Sequence, residues 1–298
     1  MMTPTLFSVS YAGLWGQDTL DLNSFIRKAG ELGYAAVELM GKRPHLSVLD
    51  VDAGELESIR QTAQECGVEI ATIAGYTNFT AGKTCPEVPF VEMQVAYVRE
   101  LARLANELGA KIVRIFTGYA TELESYHADW HKCVAAVREC AEAAADYGIT
   151  IGVQNHHDVA AGWRTYVEFL DEVAHPNCRA MFDPWAPAVH GDDLRECARA
   201  LAPRMVQTTL ADYVRLERFR YMRGLVNYEP LTPMVRAVPL GEGFVDLEGF
   251  FAGLNEGGFS GYVVYEMCSP LRGGGSLDNV DATAARSLTK IRDLLSQK

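Results

Sequence analysis

Short apolar runs recur along this chain, and several of them follow a helical pattern that stops at a glycine: ELGYAAVEL, ECGVEIATI, ELGAKIVRI and DYGITIGVQ. Gly33, Gly67, Gly109 and Gly148 stand at these junctions, where the residue after a helix adopts the left-handed conformation that glycine reaches without steric cost. NEGGFSGYVVYE repeats the arrangement near the end, with Gly257 and Gly258 before the last apolar run. The runs predict strands over Leu6–Ser10, Ala35–Leu39, Glu69–Ile73, Lys111–Phe116, Thr150–Gln154, Arg179–Phe182, Met205–Thr209 and Tyr262–Tyr265.

Helical spacing fills the gaps: Leu22–Leu32, Ala53–Glu65, Phe90–Leu108, Ala128–Tyr147, Tyr166–Ala174, Asp192–Ala200, Leu247–Asn255 and Ala282–Gln297. Strands that alternate with helices along the chain predict an α/β fold, a single (β/α)8 TIM barrel over residues 1–298. A doubly wound open sheet is the competing architecture, but no GxGxxG turn follows the first strand. No Pro-, Ser- or Gly-rich linker divides the chain. Its longest irregular segment, Ala211–Leu240, is rich in Arg and Tyr and reads either as a substrate lid or as a subunit contact, so a homo-oligomer is one expectation.

In such barrels chemistry gathers at the C-terminal ends of the strands. Those ends here are polar: Glu38, Gln154, His156, Asp183, Gln207, Thr209 and Glu266. Asp183 and Glu266 each close an apolar run, where a bare carboxylate needs a cation or a proton to offset its desolvation. With amide and imidazole neighbours, two carboxylates suit a divalent metal such as Mn²⁺, Mg²⁺ or Zn²⁺. Asp183 could instead cap a turn before Pro184, and Glu266 could pair with an arginine such as Arg114. Of the adjacent His156 and His157, one is expected to face the barrel mouth and the other to bond to a loop. GKRPHLS after the second strand brings Lys42, Arg43 and His45 toward the same rim, where they would suit an oxygen-rich substrate.

Composition narrows the partners. The chain has 298 residues and carries 27 Lys+Arg against 39 Asp+Glu, a net charge of −12, which opposes non-specific binding to nucleic acid. The seven cysteines are odd in number and include no CxxC pair, so they read as reduced thiols in a cytoplasmic protein. Neither a signal peptide nor a membrane span is expected from the apolar runs.

Five motifs in order carry a family resemblance: VEL at Val37–Leu39, NHH at Asn155–His157, FDP at Phe182–Pro184, GEG-VD at Gly241–Asp246, and the terminal Glu266. With them the chain resembles the xylose-isomerase-like barrel superfamily, the sugar phosphate isomerases and epimerases, over nearly its whole length. The resemblance implies one divalent metal, held by a glutamate, an aspartate, a histidine and a glutamate after strands five to eight. Asp183 and Glu266 match that pattern. Gln154 stands at the position of the strand-five glutamate, and VQTTLAD (Val206–Asp212) places Gln207 and Thr209 at the two histidine positions of the strand-seven motif. The implied metal set is therefore Gln154, Asp183, Gln207 and Glu266. With Gln154 an amide, two-base epimerisation loses one of its bases, and His156 becomes the candidate base.

Three functions stay open on this reading. The first is a metal-assisted sugar or polyol isomerase or epimerase that moves a proton alpha to a carbonyl. His156, Glu266 and Glu38 would be catalytic, while His45, Arg43, Trp15, Trp185 and His157 would bind a sugar or keto-sugar. Tyr11 joins the expected aromatic lining. The second is a lyase or dehydratase acting on a keto-sugar or 3-keto-glycoside. The third is a non-catalytic sugar-binding barrel or scaffold subunit.

Overall fold

In the computed structural model, which describes residues 1–297, eight parallel strands close into a barrel. They are β1 (Met2–Phe7), β2 (Ala36–Met40), β3 (Glu69–Ala74), β4 (Ile112–Ile115), β5 (Thr150–Gln154), β6 (Cys178–Met181), β7 (Met205–Leu210) and β10 (Gly261–Tyr265). The order around the barrel is β1-β10-β7-β6-β5-β4-β3-β2, and β2 pairs back onto β1 to close it. Each strand has the barrel interior on one side and a layer of helices on the other. Both faces are therefore buried, as is every residue of β2 and of β4.

The helices are α1 (Leu22–Leu32), α2 (Ala53–Cys66), α3 (Phe90–Leu108), α4 (Tyr126–Ala145), α5 (Trp163–Val173), α6 (Trp185–His190), α7 (Leu194–Leu201), α8 (Leu247–Glu256) and α9 (Leu277–Ser296). Asp21, Asp52, Ser125, Asp193 and Asp246 cap their N-termini by accepting backbone N–H bonds. Gly33, Gly67 and Gly109 end α1, α2 and α3 with φ of 88°, 64° and 80°, as their sequence positions imply.

Several expected boundaries move. The first strand ends at Phe7, because Ser8–Tyr11 coil into a 3-10 turn whose serine hydroxyls accept N–H bonds from the ends of neighbouring segments: Met40 to Ser8 and Met267 to Ser10, both at 2.8 Å. Gly148 is left-handed (φ 68°) but lies beyond the helix cap at Asp146. At the last junction Gly258 takes the positive φ, and Gly257 stays right-handed at −80°. The short α6, absent from the sequence expectation, follows β6 directly.

The largest correction concerns Ala211–Leu240. Most of it is an antiparallel ribbon of β8 (Asp212–Met222) and β9 (Asn227–Val238). Both faces of its outer half meet solvent, so it shows no apolar alternation by which a strand is recognised. Cross-strand aromatic pairs, Tyr221 with Tyr228 at 5.2 Å among them, stand in for a packed face. The ribbon rises beside the C-terminal mouth of the barrel.

Candidate active site

A guanidinium sits at the centre of the mouth. Arg114 interrupts the apolar run KIVRIF on β4 and is only 2% exposed. Its charge is flanked by the rings of Phe116, Tyr76 and Phe7, at 4.1, 4.9 and 5.5 Å from their centroids. Its Nη1 donates to Gln154 Oε1 at 2.9 Å, and its Nε lies 3.6 Å from Glu38 Oε1.

The polar strand ends are linked through this centre into one chain of contacts. On one side, Gln154 Nε2 donates to Asp183 Oδ2 at 3.0 Å, and the Trp185 N–H donates to Asp183 Oδ1 at 2.6 Å. Asn155 fixes the Asp183 backbone, accepting its N–H at 2.6 Å and donating to its carbonyl at 3.0 Å. On the other side, Gln207 Nε2 donates to Glu38 Oε2 at 2.6 Å, and the Thr72 hydroxyl donates to Gln207 Oε1 at 2.6 Å.

Above this floor opens a cavity of about 390 Å³. Gln154, His156, His157, Asp183, Trp15, Trp185 and Glu266 line it, so these residues singled out in the sequence do converge. Glu38 and Gln207 lie directly beneath, 1% and 0% exposed, as a supporting layer outside the cavity wall. Arg43 and His45 do not reach the mouth. Arg43 is an exposed partner of Asp50, and His45 is buried between Ser8 Oγ at 3.0 Å and the Leu20 carbonyl at 3.1 Å, with its ring over Phe25. The turn after Met40 carries these two side chains away from the barrel axis, while Lys42 lies over the Tyr76 ring. Tyr11 is likewise buried, with its hydroxyl on Asp281.

Both histidines line the mouth, where one was expected. Strand alternation ends at Gln154, and His157 takes a left-handed φ of 69°, which turns the second ring inward beside the first. The His157 N–H donates to His156 Nδ1 at 2.8 Å, so that nitrogen accepts, and the two Nδ1 atoms are 2.9 Å apart. His157 stacks on Tyr119 at 4.0 Å. Burial of its ring against the wall, and then the Arg114 charge, push His156 down to about 4, although the residue as a whole is exposed. Burial, His156 and Arg114 push His157 down to about 3. Both imidazoles are neutral near pH 7.

The carboxyl groups shift the other way. Burial raises Glu38, Asp183 and Glu266 each to about 7; Arg114 opposes the shift in all three, and the Glu266 charge adds to it at Asp183. Of the three, Glu266 is the half-buried one that opens onto the cavity, beyond the end of β10 and beside the Cys268 thiol.

The donor set does not fit the divalent metal that the family resemblance implies. The oxygen of Gln154 already accepts from Arg114 and that of Gln207 from Thr72, and Gln207 is fully buried outside the cavity wall. No group of three or more His, Cys, Asp and Glu side chains among the described residues is arranged to hold a metal. Arg114 places a permanent positive charge where a second cation would be repelled. Arg114 and Tyr76 are among the site residues that the sequence reading passed over. The readable signal for Arg114 was a charge inside an otherwise apolar strand run.

A closed parallel barrel whose polar strand tips meet at one mouth is the arrangement of barrel proteins that act on small molecules at their C-terminal face. The chain belongs to the xylose isomerase-like TIM barrel family, whose profile matches residues 26–293. It is 22% identical over 265 residues to a fructoselysine 3-epimerase of Escherichia coli, covering 85% of this chain and 87% of that protein. Its fold is similar to a D-psicose 3-epimerase from Clostridium cellulolyticum crystallised with D-tagatose (TM-score 0.76, 15% identity, 99% of both chains). It is also similar to a xylose isomerase domain protein from Alicyclobacillus acidocaldarius (TM-score 0.75, 17% identity, 99% of both chains).

Proposed function

We propose that this protein is a sugar isomerase or epimerase that moves a proton on the carbon next to a ketose carbonyl. The observation that carries this reading is Glu266. It is a carboxylate open to an aromatic-lined cavity, with its proton affinity raised to about 7, the value at which a group both takes and returns a proton near neutral pH. The curated relatives named as fructoselysine 3-epimerases support the same class of reaction and point to ketohexoses, free or amine-linked, as the first substrates to assay.

In this reading the sugar lies with an apolar face against Trp15 and Trp185, and Glu266 takes the proton from the carbon beside the carbonyl. Asp183 is fixed by two donated bonds, from Trp185 and Gln154, and orients hydroxyl groups of the sugar. The neutral His156 and His157 form a polar edge that donates and accepts hydrogen bonds to further hydroxyls. No helix among the described residues is long and apolar enough to cross a membrane, and the seven free cysteines support a reducing compartment such as the cytoplasm.

One observation favours elimination as a second reading. With Gln154 locked between Arg114 and Asp183, and both Asp183 oxygens already accepting hydrogen bonds, Glu266 is the cavity carboxylate left to act as a base, and one base suffices to remove a proton and expel a neighbouring group. Proton NMR in D₂O separates the two. Epimerisation or isomerisation replaces the C3 or C1 proton of a ketohexose by deuterium and yields a second sugar. A lyase consumes a keto-glycoside and releases its aglycone. Exchange into none of a panel of ketoses, with aglycone release absent, overturns the enzymatic reading and leaves a sugar-binding or scaffold role.

A further inference from the structure

We propose that the guanidinium of Arg114 serves as the fixed cation of this site, in place of a divalent metal, and holds the substrate oxygen on which negative charge develops. This rests on the functional reading above and specifies its electrostatics.

Three observations carry it. First, the amide oxygens at the two departed ligand positions are engaged inside the protein, Gln154 by Arg114 and Gln207 by Thr72. Second, Arg114 is positioned as a component of a site. Gln154 fixes Nη1, three aromatic rings flank the guanidinium, and Glu38 lies 3.6 Å from Nε, too far for a hydrogen bond. Third, six buried side-chain polar atoms among the described residues have no hydrogen-bond partner, and four of them are here: Arg114 Nε and Nη2, the Tyr76 hydroxyl and Glu38 Oε1. Buried donors are rarely left unpaired, so a cluster of them on a cavity wall marks the place of an absent acceptor. Arg114 Nε is turned toward Glu38 Oε1, which leaves Arg114 Nη2 and the Tyr76 hydroxyl as the unpaired donors, on two residues that line the cavity Glu266 faces.

The step balances with these groups alone. The C–H bond next to the carbonyl breaks and its proton passes to the Glu266 carboxylate. The electron pair becomes the carbon–carbon double bond, and the carbonyl pair moves onto oxygen. Arg114 N–H groups and the Tyr76 hydroxyl donate to that oxygen in a water-poor pocket, where preset donors act most strongly. Return of the proton to the same carbon restores the ketose, the event that deuterium exchange reads; its delivery to the neighbouring carbon, with the hydroxyl proton passing from one enediol oxygen to the other, gives the isomer.

The test is a Mn²⁺ titration of the purified wild-type chain, followed by electron paramagnetic resonance of free Mn²⁺. It is paired with calorimetric binding of a polyhydroxy hydroxamate, a planar mimic of the enediolate, in the presence of EDTA. Expected are free Mn²⁺ at every protein concentration, hydroxamate binding without metal, and at least tenfold weaker binding in Arg114→Ala. Arg114→Lys should recover only part, since it lacks the planar fork. In a ketose that exchanges, the rate should be unchanged by chelation and fall about 10²–10³-fold in Arg114→Ala. Gln154→Glu with Gln207→His and Arg114→Ala should convert the site to one that binds Mn²⁺. One Mn²⁺ per wild-type chain, lost in Asp183→Asn, overturns the proposal. So does hydroxamate binding that needs Mn²⁺ or is indifferent to Arg114. Failure of every ketose to exchange overturns the functional reading alone, because the metal and hydroxamate measurements do not depend on turnover.

Discussion

Gln154 stands between Arg114 and Asp183, accepting from the guanidinium at 2.9 Å and donating to the carboxylate at 3.0 Å. Only an amide makes both bonds at once: a glutamate there has no proton to give Asp183 at neutral pH. The amide thereby keeps the carboxylate out of direct contact with the cation. Asp183 is left with burial as the main influence on its proton, and Glu266 remains the open acid of the mouth.

Glu266→Gln is expected to lower deuterium exchange into a substrate ketose by about 10²–10⁴-fold, the usual worth of a positioned acid/base. The far-ultraviolet circular dichroism should be unchanged. A variant that keeps more than a tenth of the exchange rate removes Glu266 from the proton path.

The pH dependence of kcat/KM should report a carboxyl group and not an imidazole. Glu266 must be ionised to act as a base, so the rate should rise with pH through about 7 and level above it. His156 and His157, held at about 4 and 3, are neutral across that range. His156→Asn should therefore lower the plateau without moving the acid limb. A limb that shifts or vanishes in His156→Asn would assign it to the histidine.

Stability should carry the same signature with a defined sign. Glu266 keeps its proton to about 7 in the fold, against 4.5 as its ordinary value. Between those values the folded chain binds more protons than the unfolded one, so this group's contribution falls as pH rises. The melting temperature of Glu266→Gln minus that of the wild type should become more positive from pH 4.5 to pH 8. The shift corresponds to at most about 3 kcal/mol, less whatever solvent at the open side of the carboxylate returns. A difference that is flat or declines across the range contradicts the burial of this carboxyl group.

Trp185 contributes through its ring as well as through the N–H that Asp183 accepts. The ring packs 4.0 Å from Tyr213 and forms one wall of the cavity. Trp185→Ala keeps the backbone N–H and should raise KM about tenfold, near 1.4 kcal/mol, with kcat within about threefold. Loss of kcat at constant KM would mean that the ring supports Asp183 and does not touch the sugar.

Asp212 is a structural residue of the same rim. Its buried carboxylate accepts backbone N–H bonds from Tyr213, Gly241, Gly243 and Val245, at 2.9, 2.9, 2.8 and 3.2 Å. A Cβ at Gly243 would lie 2.0 Å from Asp212 Oδ1, which is why the GEG turn ends in glycine. Asp212→Ala leaves four donors without an acceptor and should cost about 3–5 kcal/mol in urea unfolding. A cost below about 1 kcal/mol would mean that water replaces the carboxylate.

The barrel was legible because its signals are local. Glycine-ended helices and continuous apolar runs such as Ala36–Met40 follow from chain geometry and burial on both faces, and the eight strands fall within a few residues of their expected places. The β8–β9 ribbon was not, since its solvent-facing strands leave no apolar alternation to read. At the site, Asp183, Glu266, Gln154 and the two histidines were visible as polar ends to apolar runs. Arg43 and His45 looked similar, but a turn sends them elsewhere, and sequence adjacency says nothing of which way a loop faces.

By itself, then, the sequence determined the barrel, the face on which polar groups collect, and the exchange of an expected glutamate for Gln154. Only the tertiary structure decided what that exchange means. Arg114 is distant in sequence from Glu38, Gln154 and Glu266, and closure of the barrel brings its charge among them. A proton affinity or an unpaired donor is a property of such neighbours in three dimensions, and no single strand carries it.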